Sequence, residues 1–351
     1  MPLVSSDNHY LKSYIRKRQG ETRLGEVIYP FDLSDEKDYV ANLKELKGKG
    51  VRFILIGIPE DIGPRANMGK PGAHKGWHAF LSKFCSLQQN EFIKGEQIAV
   101  MGHIDCHDLQ DLSVNLGPNN AEHLNQLRSL VSMLDERVFE ICQLIFNEKL
   151  TPIIIGGGHN NAYPILKAAS ISYGSPLNAI NLDPHTDFRV PEGRHSGNPF
   201  SYAAKEGYLK NYFNIGMHEL KNSSANLEAL KSNGFKWLSY QDIWVRREHD
   251  FDSAIEKGKN YIKKEKLPFG IELDVDSISL MPVSAYTNCG IQVKDAEYYT
   301  YSLGKEVSSC YLHLAEGAPE QHPSNYDSGI SEVGQVYSSL VISFIQAKQG
   351  L

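Results

Sequence analysis

Eight short apolar runs, rich in valine and isoleucine, recur along the 351-residue chain and constrain its fold more than any other feature. They occupy residues 51–57, 97–102, 152–155, 178–182, 212–216, 236–239, 269–274 and 309–314. Runs that are apolar on both faces are typical of parallel strands buried between two layers of helices. Helix-like stretches separate the runs and supply the crossover connections that parallel strands need. The alternation therefore predicts an α/β fold with a doubly wound sheet of eight strands.

The clearest helical pattern lies at 121–148, where apolar residues recur at spacings of three and four behind the candidate caps Asn119 and Asn120. Similar patterns predict three further helices, at 160–172, 254–266 and 331–348. The sequence has no internal repeat and no linker-like break. We therefore expect one catalytic domain over 51–351, with residues 1–50 as an N-terminal extension that packs on it.

Charge, hydropathy and cysteine content indicate which binding partners and which cellular compartment to expect. The formal net charge is -6 and the basic residues are interleaved with acids, which argues against a nucleic-acid binder. No apolar run approaches the roughly 20 residues that a membrane span requires. The five cysteines are odd in number and widely spaced, which indicates free thiols in a reducing compartment. We expect a cytoplasmic protein that acts on a small-molecule substrate and has no nucleic-acid or membrane partner.

Three of the predicted strands end in potential metal ligands. Ligands bind beyond the carboxyl ends of strands in such a sheet, so polar residues at these points are the first candidates for a site. Residues two apart in an extended segment point the same way and can converge on one ion. The candidate ligands are His159 after the triple glycine, Asp183, His185 and Asp187 after the fourth run, and Asp274 and Asp276 after the seventh.

Four carboxylates and two imidazoles exceed what one catalytic zinc ion usually takes from a protein. The set fits two divalent ions that share carboxylates and polarise one water. Oxygen-rich ligation favours manganese, so we expect two Mn²⁺ per chain. Each motif alone has a structural alternative: the glycines could serve a tight turn, and a lone Asp-x-Asp could cap a helix. The metal interpretation depends on all three motifs occurring together.

The motifs GGGH, DxHxD and DxD, in this order, resemble the ureohydrolase family of arginases, agmatinases and formimidoylglutamases. The resemblance covers about residues 50–348 and implies a three-layer α/β/α fold with an eight-stranded parallel sheet. It implies a binuclear manganese hydrolase that cleaves the C-N bond of a linear amidine or guanidine, and a homo-oligomer. One ion would be held by His159, Asp183, Asp187 and Asp274, and the other by Asp183, His185, Asp274 and Asp276.

The resemblance also implies roles at the substrate. Asp187 would pass a proton to the departing amine, and Glu316 would pair with the cationic group of the substrate. Arginases carry a histidine in a Ser-Gly-Asn-x-His run, where this chain has Phe200 after Pro199. The departure favours the formimidoylglutamase branch, in which N-formimidoyl-L-glutamate and water give L-glutamate and formamide during histidine degradation. The implied substrate-binding residues are Arg189, Ser196, Asn198 and Glu316.

The sequence leaves other interpretations of the substrate and of the function open. The segment 57–73 is similar to the formimidoylglutamase branch and offers Arg65, Asn67 and Lys70 to an anionic substrate, but it could equally be a structural turn. Many relatives have a third aspartate and a proline after DxD, where this chain reads 277–279 Ser-Ile-Ser. Arginase, agmatinase and guanidino-acid ureohydrolase are therefore alternatives within the family. A catalytically inactive binding or regulatory homologue and a zinc deacetylase are alternatives of other classes.

Overall fold

The computed structural model describes residues 2–33 and 38–351. Its strands are β1 (Leu3–Ser5), β2 (Tyr29–Pro30), β3 (Phe53–Gly57), β4 (Ile98–Ile104), β5 (Thr151–Ile155), β6 (Leu177–Leu182), β7 (Leu209–Met217), β8 (Lys236–Ser239), β9 (Phe269–Asp274) and β10 (Ser309–Ala315). Its α-helices are α1 (Asn8–Lys12), α2 (Tyr39–Gly48), α3 (Ile62–Ala66), α4 (Gly76–Phe84), α5 (His107–Ser113), α6 (Ala121–Asn147), α7 (Ala162–Tyr173), α8 (Pro199–Lys205), α9 (Ser224–Ser232), α10 (Phe251–Ile262), α11 (Val293–Gly304) and α12 (Tyr326–Gln349).

All eight predicted strands are confirmed, and they form one parallel sheet in the order β4-β3-β5-β10-β9-β6-β7-β8. The predicted total of eight is wrong, because the described residues form a sheet of ten strands. The two additional strands are β1, which is antiparallel to β4, and β2, which is parallel to it. Both are too short to show an apolar pattern in the sequence. They form by pairing with the otherwise open edge of β4, which they cover along its length.

Helices cover both faces of the sheet and give the predicted three layers. One apolar core lies between the sheet and helices α4, α10, α11 and α12. The other lies between the sheet and helices α2, α6, α7, α8 and α9. Strands β3, β9 and β10 are buried along their whole length, which accounts for their unbroken apolar runs. The α/β/α prediction is confirmed.

The four predicted helices are also present, within a few residues of their expected ends. The long helix α6 begins where the side chain of Asn120 accepts hydrogen bonds from the backbone N–H groups of Glu122 and His123, at 2.9 and 3.1 Å. Among the described residues, we find no helix long and apolar enough to pass through a lipid bilayer. The division of the chain at residue 50 stays a prediction, and residues 1 and 34–37 of the expected extension lie outside the described residues.

The strand order brings the predicted ligands together. Strands β5, β10, β9 and β6 are consecutive neighbours at the centre of the sheet. Their carboxyl ends lie on one rim. Asp274 is the last residue of β9, Asp183 and Glu316 directly follow β6 and β10, and His159 follows β5 after three glycines. Residues that are more than 150 positions apart in the sequence therefore meet because the sheet aligns these four strand ends.

Candidate active site

The triple glycine after β5 shapes the loop that presents His159. Gly156 and Gly157 have φ angles of 88° and 71°, a region that favours glycine. A Cβ atom on Gly157 would lie 2.9 Å from Oε1 of Glu60, so the position also requires a small residue. The buried carboxylate of Glu60 accepts a hydrogen bond of 2.6 Å from the backbone N–H of Gly158. This hydrogen bond fixes the loop, which places His159 at the rim formed by the carboxyl ends of the strands.

His159 faces three carboxylates through one ring nitrogen. Its Nδ1 atom lies 2.9 Å from Asp187 Oδ2, 3.3 Å from Asp183 Oδ2 and 3.6 Å from Asp274 Oδ2. All four side chains are buried. One ligand atom from each lies within 4.8 Å of the others, which is close enough for a shared metal ion.

A second group lies on the other side of Asp183. His185 Nδ1 is 3.0 Å from Asp276 Oδ2 and 3.6 Å from Asp183 Oδ1. Asp183 therefore turns one oxygen toward His159 and the other toward His185. The six side chains predicted from the sequence converge as two adjacent groups that share Asp183, and Asp274 belongs to the group around His159.

Two residues of this rim have an uncommon backbone conformation. Asp187 and Glu316 have φ angles of 45° and 71°, in the left-handed region that non-glycine residues rarely adopt. Such a conformation costs about 1–3 kcal/mol for each residue and persists only where the surroundings enforce it. The strain lies at the two positions for which the sequence predicts catalytic roles. Met68 in the loop after β3 and Leu280 in the loop after β9 have the same backbone conformation, each with a φ of 64°.

The carboxylates of the rim repel one another. Burial and the charge of Asp183 raise the pKa of Asp187 to about 6. Burial and the charge of Asp276 raise the pKa of Asp274 well above its ordinary range. For His159, burial favours the neutral ring, but the neighbouring carboxylates outweigh it and raise its pKa. Oδ1 of Asp276 is buried and has no hydrogen-bond partner among the described residues. This oxygen-rich, electron-rich donor set fits divalent cations.

A small cavity opens beside these groups. Its volume is about 180 Å³, and its walls include His185, Asp187, Asp274, Asp276 and Glu316 from the rim, with Pro64, Asn67, Met68, Gly69, Ser196, Ser284 and Ala285 around them. Glu316 Oε1 accepts a hydrogen bond of 2.9 Å from the backbone N–H of His159. Burial, together with the charges of Asp276 and Asp187, raises the pKa of Glu316 to about 8. A cationic group that entered the cavity would reverse this effect by favouring the ionised carboxylate.

The predicted substrate residues divide into two sets. Ser196 and Glu316 line the cavity, together with Asn67 from the 57–73 segment. Asn198 is buried away from it, where its Oδ1 accepts a hydrogen bond of 2.7 Å from Arg194. Arg189 is about half exposed, and its guanidinium lies 3.8 Å from Glu192. Neither Asn198 nor Arg189 belongs to the described residues that line the cavity.

Arg65 and Lys70 of the 57–73 segment do not belong to the described residues that line the cavity. The Arg65 guanidinium donates to the backbone oxygens of Ser113 and Leu116, at 2.5 and 3.0 Å. The hydrogen bond that we observe for Lys70 comes from its backbone N–H, which donates to Ser284 Oγ at 2.7 Å. This segment therefore contributes Pro64, Asn67, Met68 and Gly69 to the cavity wall, while Arg65 connects it to Ser113 and Leu116.

Sequence reasoning missed a layer of polar residues beneath the rim. Glu272 and His313 are fully buried, and their side chains lie 2.7 Å apart, with Tyr311 beside them. The two-residue period of β9 would have identified Glu272, because it lies on the same face of the strand as Asp274. Glu60 was missed as well, and its only sequence signal is its position just after an apolar run.

Comparisons with known proteins agree with this geometry. A model of the Arginase family matches residues 51–340. Formimidoylglutamase from Streptococcus pyogenes serotype M3 is 28% identical over 296 residues, which cover 81% of this chain and 82% of that protein. The crystal structure of formimidoylglutamase from Bacillus subtilis aligns with a TM-score of 0.75 at 15% identity, over 95% of this chain and 94% of the other. That of Trypanosoma cruzi formiminoglutamase with Mn²⁺ aligns with a TM-score of 0.69 at 18% identity, over 93% and 98% of the two chains.

The structural similarity confirms the arginase-like fold that the motifs implied. The family model covers well over half of the sequence and includes all six predicted ligands. This chain belongs to the Arginase family.

Proposed function

We propose that this protein is a binuclear manganese hydrolase that converts N-formimidoyl-L-glutamate and water to L-glutamate and formamide. The observation that carries the proposal is the pair of histidine and carboxylate groups that share Asp183 beside a small cavity. The Streptococcus pyogenes relative and the Bacillus subtilis structure are both named formimidoylglutamase, which supports this choice of substrate. Retention of all six side chains argues against an inactive homologue.

Two manganese ions fit the donor set. His159, Asp183, Asp187 and Asp274 would hold one ion, and Asp183, His185, Asp274 and Asp276 the other, with Asp183 and Asp274 shared. When bound, the ions supply Lewis acidity and activate a water for attack on the amidine carbon. The Trypanosoma cruzi relative was crystallised with Mn²⁺, which supports the choice of metal.

The chain's own residues then orient the substrate and move a proton. Glu316 pairs with the cationic amidinium, since its carboxylate lines the cavity and its Oε1 is fixed by the backbone of His159. Asp187 passes a proton to the departing amine, because its carboxylate lines the cavity beside Glu316 and is within reach of a bound substrate. The departing group leaves as L-glutamate, and the amidine carbon leaves as formamide.

The acidic tail of the substrate needs cationic or hydrogen-bonding partners. Ser196 and Asn67 provide hydrogen bonds at the cavity wall, where Asn67 Nδ2 and Ser196 Oγ are 3.4 Å apart. We propose that Arg189 pairs with a carboxylate of the tail, for which its half-exposed side chain would leave Glu192. The proposed role of Asn198 is indirect, since it holds Arg194 and the loop that carries Ser196.

Location, assembly and domain division complete the proposal. We propose a cytoplasmic homo-oligomer with a catalytic domain over 51–351. The free state of all five cysteines, four of which are buried, supports a reducing compartment. Light scattering of the purified protein measures the number of subunits.

A substrate panel on the manganese-loaded protein tests the function. We expect formamide and L-glutamate from N-formimidoyl-L-glutamate, and little urea from arginine, agmatine or 4-guanidinobutyrate. The variant Asp274→Asn serves as the control, because it removes a shared carboxylate and should abolish both metal loading and turnover. Urea release from a guanidine substrate at a higher rate than formamide release would assign the chain to another activity of the family.

A further inference from the structure

A buried polar cluster lies directly beneath His159 and has no part in the function described so far. It consists of Glu272 on β9 with Tyr311 and His313 on β10, which we name the Glu272 cluster. Glu272 and His313 are paired directly across the two strands. Gly270 leaves room for the third member, since a Cβ atom there would lie 2.1 Å from Cζ of Tyr311. Strand register and one glycine therefore assemble the cluster.

The carboxylate of Glu272 faces three donors. Its Oε1 accepts a hydrogen bond of 2.5 Å from the hydroxyl of Tyr311. Its Oε2 lies 2.7 Å from Nδ1 of His313 and 3.4 Å from Nε2 of His159. Glu272, His313 and His159 are all fully buried, so water does not compete for these contacts. A buried carboxylate is stable only with such partners.

The contact with His159 bears on how that ring meets a metal ion. A neutral imidazole carries one N–H and one lone pair, and the partner of the N–H decides which nitrogen is free to bind a metal. His159 Nε2 is buried and makes no hydrogen bond among the described residues, and Glu272 Oε2 lies 3.4 Å from it. A proton on Nε2 would leave the lone pair of Nδ1 on the side of Asp183, Asp187 and Asp274. The opposite tautomer would turn a lone pair toward the Glu272 carboxylate, where the two would repel.

We propose that Glu272 is a positioning residue, which accepts the Nε2–H of His159 and so fixes the tautomer and orientation that let Nδ1 bind a metal ion. Tyr311 and His313 hold the Glu272 carboxylate in place for this purpose. The proposal rests on the metal centre of the proposed function. It concerns the ion next to His159 and leaves the ion next to His185 unaffected, because no contact of the Glu272 cluster reaches His185 among the described residues.

An alternative occupant of the cluster is a third metal ion, because His159, Glu272 and His313 each offer a ligand atom. The hydrogen-bond distances argue against it. The hydroxyl of Tyr311 and a ring nitrogen of His313 already lie within 2.7 Å of the two carboxylate oxygens. A third ion would also have to share His159 with the ion on its Nδ1 side.

Two substitutions of Glu272 separate the hydrogen bond from the charge. Glu272→Gln keeps an oxygen that can accept the Nε2–H, whereas Glu272→Met has similar length and no acceptor. Glu228→Gln, on the exposed face of α9, is the control for the loss of a carboxylate. Mn²⁺ binding is measured for each metal-free protein by isothermal titration calorimetry, with thermal unfolding recorded in parallel.

We expect the wild type to bind two ions, and Glu272→Met to lose about 10–100-fold in affinity at one of them, as removal of such outer partners does elsewhere. The affinity of Glu272→Met for the other ion should stay within a few-fold of the wild-type value. The affinities of Glu272→Gln and Glu228→Gln for both ions should do so as well. Unchanged binding in Glu272→Met, equal weakening in Glu272→Gln and Glu272→Met, or equal weakening of both ions would overturn the proposal. So would three ions in the wild type and two in the variant.

A spectroscopic measurement covers the case in which Glu272→Met does not fold. Wild-type protein with ¹⁵N-labelled histidine is loaded with diamagnetic Cd²⁺, and the ring signals of His159 are assigned by their loss in His159→Gln. A proton on Nε2 is the expected result, and a proton on Nδ1 would overturn the proposal. A wild type that binds no divalent ion would instead refute the metal centre itself, and the proposed function with it.

Discussion

Replacement of Glu316 by glutamine should make the metal-free protein more stable and the enzyme less active. Glutamine resembles a protonated glutamate that cannot ionise. Its amide oxygen can still accept the hydrogen bond that Glu316 Oε1 accepts from the backbone N–H of His159 at 2.9 Å. The substitution therefore keeps the packing of the rim and removes the carboxyl group that can ionise there.

The magnitude follows from the pKa of the buried carboxyl. Burial and the nearby acids raise the pKa of Glu316 from its ordinary value of 4.5 to about 8. Below pH 4.5 the folded and unfolded chains both carry the proton, so folding incurs no penalty. As the pH rises toward 8, the unfolded chain loses the proton before the folded chain does, and stability falls. At about 1.4 kcal/mol for each pKa unit, the full loss is about 5 kcal/mol.

Urea unfolding of wild type and Glu316→Gln in the presence of a chelator measures this effect. We expect nearly equal midpoints at about pH 5 and a clear advantage for the variant at about pH 9, where the carboxylate of the wild type is ionised. Saturation with Mn²⁺ should remove the advantage, because bound cations stabilise the ionised form. Turnover should fall at least about 30-fold, since loss of one member of a buried charge pair costs about 2–5 kcal/mol. Equal midpoint differences at both pH values would refute the assignment of a raised pKa to Glu316.

Two further predictions concern the support of the rim. Phe200 is fully buried, stacked on Tyr212 with ring centroids 4.4 Å apart and in edge contact with His159, so Phe200→Ala should cost about 3–5 kcal/mol in urea unfolding. Phe200→Leu is the milder control, and a loss below about 1 kcal/mol for alanine would contradict the packing argument. Arg194 pairs with Asp135 at 2.8 Å in a buried site, so Arg194→Met should cost about 3–5 kcal/mol. Arg194→Met with Asp135→Leu should recover most of this loss, and a double variant no more stable than the single one would show that the buried charge is not its cause.

The sequence predicted the central sheet well because its strands are recognisable one at a time. Strands β8 and β9 have the predicted bounds, 236–239 and 269–274. Strands β1 and β2 could not be predicted in this way. They are three and two residues long, and they exist because the edge of β4 offers unpaired backbone groups. The local sequence pattern does not reveal strands such as β1 and β2, because they form only by pairing with β4.

The candidate site was also predicted only in part: its metal ligands were predicted, and the walls of its cavity were not. The six predicted ligands follow strand ends, and the rule that parallel strands present their carboxyl ends on one rim was enough to bring them together. The walls of the cavity depend on contacts between distant loops, such as the hydrogen bond from Lys70 to Ser284 over 214 positions. The role of Arg189 at the substrate was inferred from the resemblance, but in the structure its guanidinium lies 3.8 Å from Glu192, three residues away. Loop conformation of this kind has no periodic signal.

The position of the site at the centre of the sheet explains how the chain tolerates it. Asp187 and Glu316 have strained backbones, and burial and neighbouring acids raise the pKa of Asp187, Asp274 and Glu316, so ionisation of these three carboxyls destabilises the metal-free rim. The two apolar cores on either face of β5, β10, β9 and β6 hold these strand ends at fixed spacing, so repulsion between the acids cannot be relieved by moving them apart. Repulsion within a rigid frame is relieved instead by protons or by divalent cations. Cation affinity at this rim is therefore expected to come as much from the stiffness of the sheet as from the ligands themselves, and mutations that loosen the cores should weaken metal binding before they unfold the chain.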